Sequence, residues 1–139
     1  MTLVTLRRPA HIADLADMLP GPLATGKVGP YELAARYQKL TRSWAAVAQG
    51  RCLACGGLYA HADGSLEAWF ACRPEAAEAL LSIARQARLT LRLIADAERV
   101  PIFARVAKGW EPGRRLARAV GLFLWDGDGA VERWGLCPT

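Results

Sequence analysis

The most informative absence in the sequence is that of glycine from one long internal stretch. The chain contains 13 glycines, yet none lies within residues 65–108. Loops that hold the phosphates of a nucleotide usually contain glycine, because a bare backbone can approach the anion closely. The stretch EAWFACRPEAAEALL, residues 67–81, is predicted to run from a strand directly into a helix. A glycine-rich phosphate loop is therefore excluded at this junction.

Long apolar runs are also absent. A membrane-spanning helix needs roughly 20 consecutive apolar residues, and no run approaches that length although 53% of the residues are hydrophobic. The arginines of the opening MTLVTLRRPAHIADL follow its apolar residues, the reverse of the order in a secretory signal peptide. We therefore expect a soluble protein of a reducing cytosol, with no membrane partner. A length of 139 residues favours one domain, residues 1–139.

Metal-binding and redox motifs are sparse. Cys52 and Cys55 have the C-x-x-C spacing of zinc and redox sites. They lie in a predicted strand, however, where residues three apart point to opposite faces. No second C-x-x-C follows, and neither histidine has ligand spacing to the first. We expect the cysteines to be buried structural thiols and no metal to be bound.

Arginine and tryptophan are abundant instead. The net charge is +5, and arginine supplies most of the 18 basic residues. This usage is typical of a GC-rich genome, but it also suits a surface that attracts DNA or an acidic protein. The predicted helices carry two arginine clusters, which are either solvated faces or docking surfaces: Arg85, Arg88, Arg92 and Arg99, then Arg114, Arg115 and Arg118. Of the five tryptophans, Trp110 and Trp134 are predicted to be interface anchors or ordinary packing residues.

The periodicity of apolar residues predicts the order β-α-α-β-β-β-α-β-α-β-β. Strands are expected at residues 2–7, 43–49, 52–60, 65–72, 101–107, 122–125 and 130–136, and helices at 9–19, 31–42, 74–98 and 114–120. Asp63-Gly64 predicts a tight hairpin, Pro74 a helix start and Gly121 a helix end. The expected class is α/β (α+β), with a mixed, mostly antiparallel twisted sheet and helices on both faces.

Four segments carry a resemblance to a known fold: LRRPAHIADLADM, YELAARYQKLTRSWAAVAQGRCLACGGLY, GSLEAWFAC and RRLARAVGLF. With the order of elements, they resemble the GNAT (N-acetyltransferase-like) fold, and most of all the GNAT-like internal virion proteins of podophages and prophages. That resemblance implies a non-catalytic bacteriophage structural protein of the virion, neck or tail, or of its assembly. Such a protein would dock on other phage structural proteins in a multi-copy assembly, in the virion or the host cytoplasm.

The wider GNAT resemblance implies an alternative, an acetyl-CoA-dependent N-acetyltransferase with a degenerate pyrophosphate loop. The family holds the pyrophosphate at the start of the long helix, where this chain has RPEAAEA. Pro74 removes an N–H donor there, and Glu78 adds negative charge. We therefore expect no cofactor. The degenerate loop is marked by Cys72, Arg73, Glu75, Ala76 and Ala77.

The acid and base residues that the resemblance implies are also few. Glu67, on the predicted fourth strand, would be the base that deprotonates the amine, although one carboxylate on a strand is more often a solvated residue. The tyrosine that protonates the departing thiolate would lie at Ala117, so this general acid is missing. The sequence therefore favours the non-catalytic protein over the enzyme. Charge alone suggests a third class, a small basic DNA-binding module.

Overall fold

The structure is a computed structural model that describes residues 3–18, 34–35, 38–39, 41–127 and 129–139. Its strands are β1 (Thr5–Arg7), β2 (Thr41–Ala48), β3 (Arg51–Ala60), β4 (Leu66–Cys72), β5 (Ile102–Ala107), β6 (Phe123–Asp126) and β7 (Val131–Leu136). Its helices are α1 (Ile12–Met18), α2 (Leu80–Glu98) and α3 (Glu111–Ala119), and a 3₁₀ helix, Pro74–Ala79, precedes α2. Residues 34–35 and 38–39 are helical as well. The helix predicted at 31–42 is wrong for Thr41 and Arg42, which begin β2, and apart from 34–35 and 38–39 the rest of it lies outside the described residues. The Gly and Pro content of residues 20–30 predicts a loop, which also lies outside them.

The strands of the described residues form one sheet in the order β1-β2-β3-β4-β5-β7-β6. The pairs β1–β2, β2–β3, β5–β7 and β6–β7 are antiparallel, whereas β4 and β5 are parallel. The predicted class, a mixed and mostly antiparallel sheet with helices, is therefore confirmed. No helix of the described residues is long and apolar enough to cross a membrane.

The chain divides into two compact units. The first comprises Met1–Tyr59 and Phe70–Leu80, and the second comprises Ala60–Trp69 and Leu81–Thr139. Leu15 of α1 and Cys55 of β3 are fully buried in the first unit. The second unit buries Ile102 of β5 and Trp134 of β7. The prediction of one domain stays a prediction.

Alternation along β7 defines two faces of the sheet in the second unit. Glu132 and Trp134 point towards α3, because the Arg114 Nε–H group donates to Glu132 Oε1 at 2.8 Å and the Arg118 guanidinium lies 5.3 Å from the Trp134 ring. Successive side chains of a strand point to opposite sides. Arg133 therefore lies on the other face, which we call the face opposite α3.

Helix α3 begins at Glu111, three residues before the start of the helix predicted at 114–120, so that predicted start is wrong. Pro112 is compatible with a first helical turn, where its missing N–H group would have no partner. Gly113 packs against Trp110, since a Cβ atom added to it would lie 2.4 Å from the indole ring. The helix ends as predicted, because Gly121 follows it with φ +90°.

Replacement of Trp134 by alanine is expected to lower the free energy of unfolding by about 3–5 kcal/mol, because it removes a buried aromatic side chain. Trp134 is 5% exposed and Trp110 is 57% exposed. The matched variant Trp110→Ala should cost about 1 kcal/mol or less. Urea unfolding of both variants measures the difference, and equal losses would contradict the assignment of Trp134 to the core.

The ion pair of Glu132 with Arg114 predicts acid sensitivity. The hydrogen bond from Arg114 holds the pKa of Glu132 below its usual range. A carboxylate with a depressed pKa stabilises the fold above its unfolded-state pKa of about 4.3, and this contribution is lost as the pH falls through the folded value. Glu132→Gln should therefore be less stable than wild type at neutral pH, and its stability should fall less below about pH 4. Urea unfolding at pH 7 and pH 3 tests this, with Glu78→Gln as an exposed control; an unchanged pH dependence would contradict it.

Candidate functional site

The junction between β4 and α2, in the first unit, is one candidate site. The Arg73 N–H group donates to the Leu53 carbonyl oxygen at 2.9 Å, and the Ala76 N–H group donates to the Arg73 carbonyl oxygen at 3.0 Å. Pro74 has no N–H group. At Arg73, Pro74 and Ala76, the backbone donor that an anion would need is therefore already used or missing.

The side chains of the junction are engaged as well. The Arg73 Nε–H group donates to the Cys52 carbonyl oxygen at 2.9 Å, and its guanidinium pairs with Asp17, which raises the pKa of Arg73. Glu75 lies 3.5 Å from Arg51. A cavity of about 230 Å³ is lined by Glu75, Glu78 and Arg51, so its two carboxylates outnumber its one guanidinium group. These residues do not fit a pyrophosphate.

The two cysteines of CLAC lie beside this junction, and the expectation that they point to opposite faces is wrong. The register of β2 and β3 shifts from Ala46–Ala54 to Val47–Cys52, which leaves Leu53 as an extra residue in β3. Such a bulge reverses the alternation, and it brings the Sγ atoms of Cys52 and Cys55 to 3.8 Å. The hydrogen bond between them lowers the pKa of Cys52 and raises that of Cys55. Both thiols are buried.

Glu67, in the second unit, is the second candidate site. The parallel register of β4 and β5 consists of Leu66–Ile102 and Glu67–Phe103, so Glu67 belongs to its last pair. The His61 Nε2–H group donates to Glu67 Oε1 at 2.8 Å, because an ionised carboxylate can only accept. The Arg105 Nε atom lies 3.5 Å from Glu67 Oε2. We call His61, Glu67 and Arg105 the Glu67 cluster. Its glutamate is 23% exposed, so the carboxylate is fixed and reachable.

Two aromatic rings adjoin the Glu67 cluster, and we call them the aromatic floor. The Phe103 ring centroid lies 5.4 Å from that of His61 and 6.5 Å from that of Trp125. Trp125 lies directly on Gly135, where a Cβ atom would be 2.3 Å from the indole ring. The Arg133 guanidinium lies 5.8 Å from the Phe103 ring. Glycine at position 135 thus provides the space that the indole occupies.

Sequence reasoning named Glu67 but missed its neighbours. His61 could have been found, because it precedes Glu67 by six residues across the predicted Asp63-Gly64 turn, and the structure has that turn with His61 N–H bonded to the Ser65 carbonyl oxygen at 2.9 Å. Arg105 and Phe103 could be identified as neighbours of Glu67 only from the register of β4 and β5. That register joins residues far apart in the chain, and no local pattern indicates it.

Most arginines of the predicted docking surfaces contact their own chain. Arg92 donates to the Cys137 carbonyl oxygen at 2.8 Å, and Arg99 donates to the Thr139 carbonyl oxygen at 2.6 Å. Arg88 packs against Gly121, and Arg114 and Arg118 contact Glu132 and Trp134. Arg85 and Arg115 are exposed. An interface formed by these arginines with Trp110 and Trp134, or a contact with DNA, stays a prediction.

No protein-family model matches the chain, and no curated protein matches its sequence. Several solved structures match its fold. The N-acetyltransferase PseH from Campylobacter jejuni, solved in complex with acetyl coenzyme A, has a TM-score of 0.68 and 11% identity over 99% of this chain and 100% of that one. A variant of the spermidine N-acetyltransferase SpeG from Vibrio cholerae has a TM-score of 0.65 and 16% identity, over 96% and 93%. A protein assigned as a phosphinothricin N-acetyltransferase has a TM-score of 0.71 and 15% identity, over 99% of both chains.

These likenesses correct the leading interpretation of the sequence. The three structures are acetyltransferases by name, a finding that contradicts a non-catalytic structural role in a bacteriophage. Membership in the phage internal virion protein family is not shown, because no family model matches. At these identities the likeness establishes the architecture: the chain has the GNAT fold.

Proposed function

We propose that this chain is an N-acetyltransferase that moves an acetyl group from a thioester to an amine. The observation that carries the proposal is the Glu67 carboxylate, which His61 holds at 2.8 Å in the last residue pair of the parallel strands β4 and β5. A general base must be fixed and within reach of the proton that it removes. The likeness to N-acetyltransferases of the same fold supports the proposal.

The donor in this proposal is an acetyl thioester, such as the acetyl coenzyme A with which PseH was solved. A thioester supplies an acetyl group that an amine can accept. The junction of β4 and α2 does not fit the pyrophosphate of coenzyme A, so we assign no residue there to the nucleotide.

The Glu67 cluster has the geometry to free the lone pair of an amine. An alkylamine has a pKa of about 10, as lysine does, and is protonated near neutral pH. Glu67 Oε1 is used by His61, whereas Oε2 lies 3.5 Å from Arg105, longer than a normal hydrogen bond. Oε2 can therefore accept a proton from an ammonium group. The Glu67 side chain is 23% exposed, so solvent can take that proton from it.

No general acid is needed for the departure of the thiolate from the thioester. Ala117, the position at which the resemblance implied a tyrosine, is buried in the second unit and offers no proton. A thiol has a pKa of about 8.5, so a thiolate leaves readily near neutral pH. The missing tyrosine is thus expected to slow the reaction without abolishing it.

The proposal is tested by thiol release from acetyl thioesters in the presence of a panel of amines. Acetyl coenzyme A and the short donor S-acetyl-N-acetylcysteamine should both be supplied, so that poor binding of the nucleotide does not hide turnover. We expect thiol release that depends on the amine, together with an amine product whose mass has increased by one acetyl group. Reactions without amine measure thioester hydrolysis. Release that no amine accelerates, with either donor from pH 7 to pH 9, would overturn the proposal.

A further inference from the structure

We propose that the acceptor is an amino acid whose carboxylate binds Arg105 and Arg133 while its amino group meets Glu67. The inference rests on the proposed function, because it names the acceptor of the same site. Its evidence is separate, and comes from the charges on the face opposite α3.

Arg105 and Arg133 are direct partners in the antiparallel register of β5 and β7. Like charges directly opposite each other destabilise a sheet. Arg133 is compensated by Asp126, whose Oδ2 atom accepts from its Nε–H group at 2.9 Å. Arg105 is compensated less well, because Glu67 lies 3.5 Å away and the arginine side chain is 58% exposed. An anion between the two guanidinium groups would relieve the repulsion.

The distance between Glu67 and Arg105 indicates which atom of the acceptor carries the anionic group. Because Glu67 Oε2 and Arg105 Nε are 3.5 Å apart, an amine at Glu67 brings its own α-carbon close to the guanidinium. An α-amino acid carries its carboxylate on this carbon, and guanidinium binds carboxylate through two parallel hydrogen bonds. A polyamine would instead place a cation beside Arg105. The cluster therefore favours zwitterionic acceptors over polycations.

The aromatic floor indicates the side chain of the acceptor. Phe103 is almost completely buried, whereas Trp125 is 39% exposed and adjoins it on the same face. Aromatic rings near each other gain from offset or tilted contact. An apolar or aromatic side chain is accordingly the group expected to lie there, and phenylalanine is a suitable first probe.

Three compounds with one skeleton test the carboxylate directly: phenylalanine, phenylalaninamide and phenethylamine. With a saturating thioester donor, kcat/KM for phenylalanine should exceed that for each of the others by about 10- to 100-fold, the range for charge-assisted hydrogen bonds. Arg105→Gln should raise KM for phenylalanine and bring the three values close together. Arg105→Lys should restore part of the preference, because it keeps the charge but loses the bidentate geometry.

Isothermal titration calorimetry with the acetylated products measures binding without any turnover. N-acetylphenylalanine should bind wild-type protein at least about tenfold more tightly than N-acetylphenethylamine, and Arg133→Gln should reduce that difference. Equal affinities in the wild type would overturn the inference even if the protein acetylates amines. A preference for the acid without any turnover would support the anion site and overturn the proposed reaction. Circular dichroism of the variants verifies that they are folded.

Discussion

Glu67→Gln is expected to lower kcat/KM for acetyl transfer by about 100-fold or more, the usual contribution of a positioned general base. Glutamine preserves the shape of the side chain and can still accept from His61, but its amide cannot take a proton from an ammonium group. The loss should therefore appear in kcat as well as in kcat/KM. Thiol release with the preferred amine measures both constants.

Two further variants separate this role from a structural one. Glu111→Gln removes an exposed carboxylate from the first turn of α3 and should leave the rate within about twofold, as expected for a surface change. His61→Gln keeps a donor to Glu67 but removes the imidazole, so it should slow the reaction less than Glu67→Gln does. A Glu67→Gln enzyme that is folded and retains half of the wild-type rate would remove Glu67 from the mechanism.

Most helices and strands of the described residues were predicted from the sequence. The apolar periodicity of such an element, and the residues that mark its ends, lie within the element itself. Residues 89–94, LTLRLI, alternate between apolar and polar side chains as a strand does, yet they lie inside α2, within the predicted helix. Tertiary packing and the helix-forming residues on both sides make this stretch helical. The start of α3 at Glu111 was not predicted, because glycine usually marks a turn. Gly113 instead lies inside the helix, where its lack of a side chain leaves room for the Trp110 indole ring.

The candidate site was less predictable, because it depends on pairing between distant strands. Glu67 could be named from its strand, but its partner Arg105 is 38 positions further along the chain and is joined to it by the β4–β5 register. The spacing of Cys52 and Cys55 indicated opposite faces, and a single extra residue in β3 reversed that conclusion. Registers and bulges are set by packing of the whole sheet, so they leave little trace in a local pattern.

The first arginine cluster, Arg85, Arg88, Arg92 and Arg99, illustrates the same limit. Its periodicity predicts that these arginines share one side of a helix, but a helical pattern does not identify what that side contacts. Arg92 and Arg99 donate to carbonyl oxygens of residues 137 and 139 of the same chain. These contacts fix the segment after β7 to α2. They require guanidinium groups within reach of backbone carbonyls, and the sequence contains no pattern specific to that requirement.

The β4–α2 junction predicts that the proposed acetyltransferase discriminates weakly among thioester donors. Charge-assisted hydrogen bonds contribute about 1.5–3 kcal/mol each, so a pyrophosphate held by several of them would favour acetyl coenzyme A over a short thioester by more than 100-fold. In this chain the N–H groups of Arg73 and Ala76 are engaged within the protein, and the Arg73 guanidinium is held by Asp17 and the Cys52 carbonyl. We therefore expect kcat/KM for acetyl coenzyme A to lie within about tenfold of that for S-acetylpantetheine.

The acidic residues of the junction provide the matched test of this explanation. Glu75 and Glu78 lie on the 3₁₀ helix, where their charges would repel a pyrophosphate. The double variant Glu75→Gln with Glu78→Gln should raise kcat/KM for acetyl coenzyme A several-fold at low salt, less at high salt because surface charges are screened, and leave S-acetylpantetheine unaffected. Steady-state kinetics with both donors at two ionic strengths measures each effect. A wild-type preference for acetyl coenzyme A above 100-fold would show that the nucleotide is bound by other residues, since the junction itself has no backbone donor at Pro74 and has used those of Arg73 and Ala76.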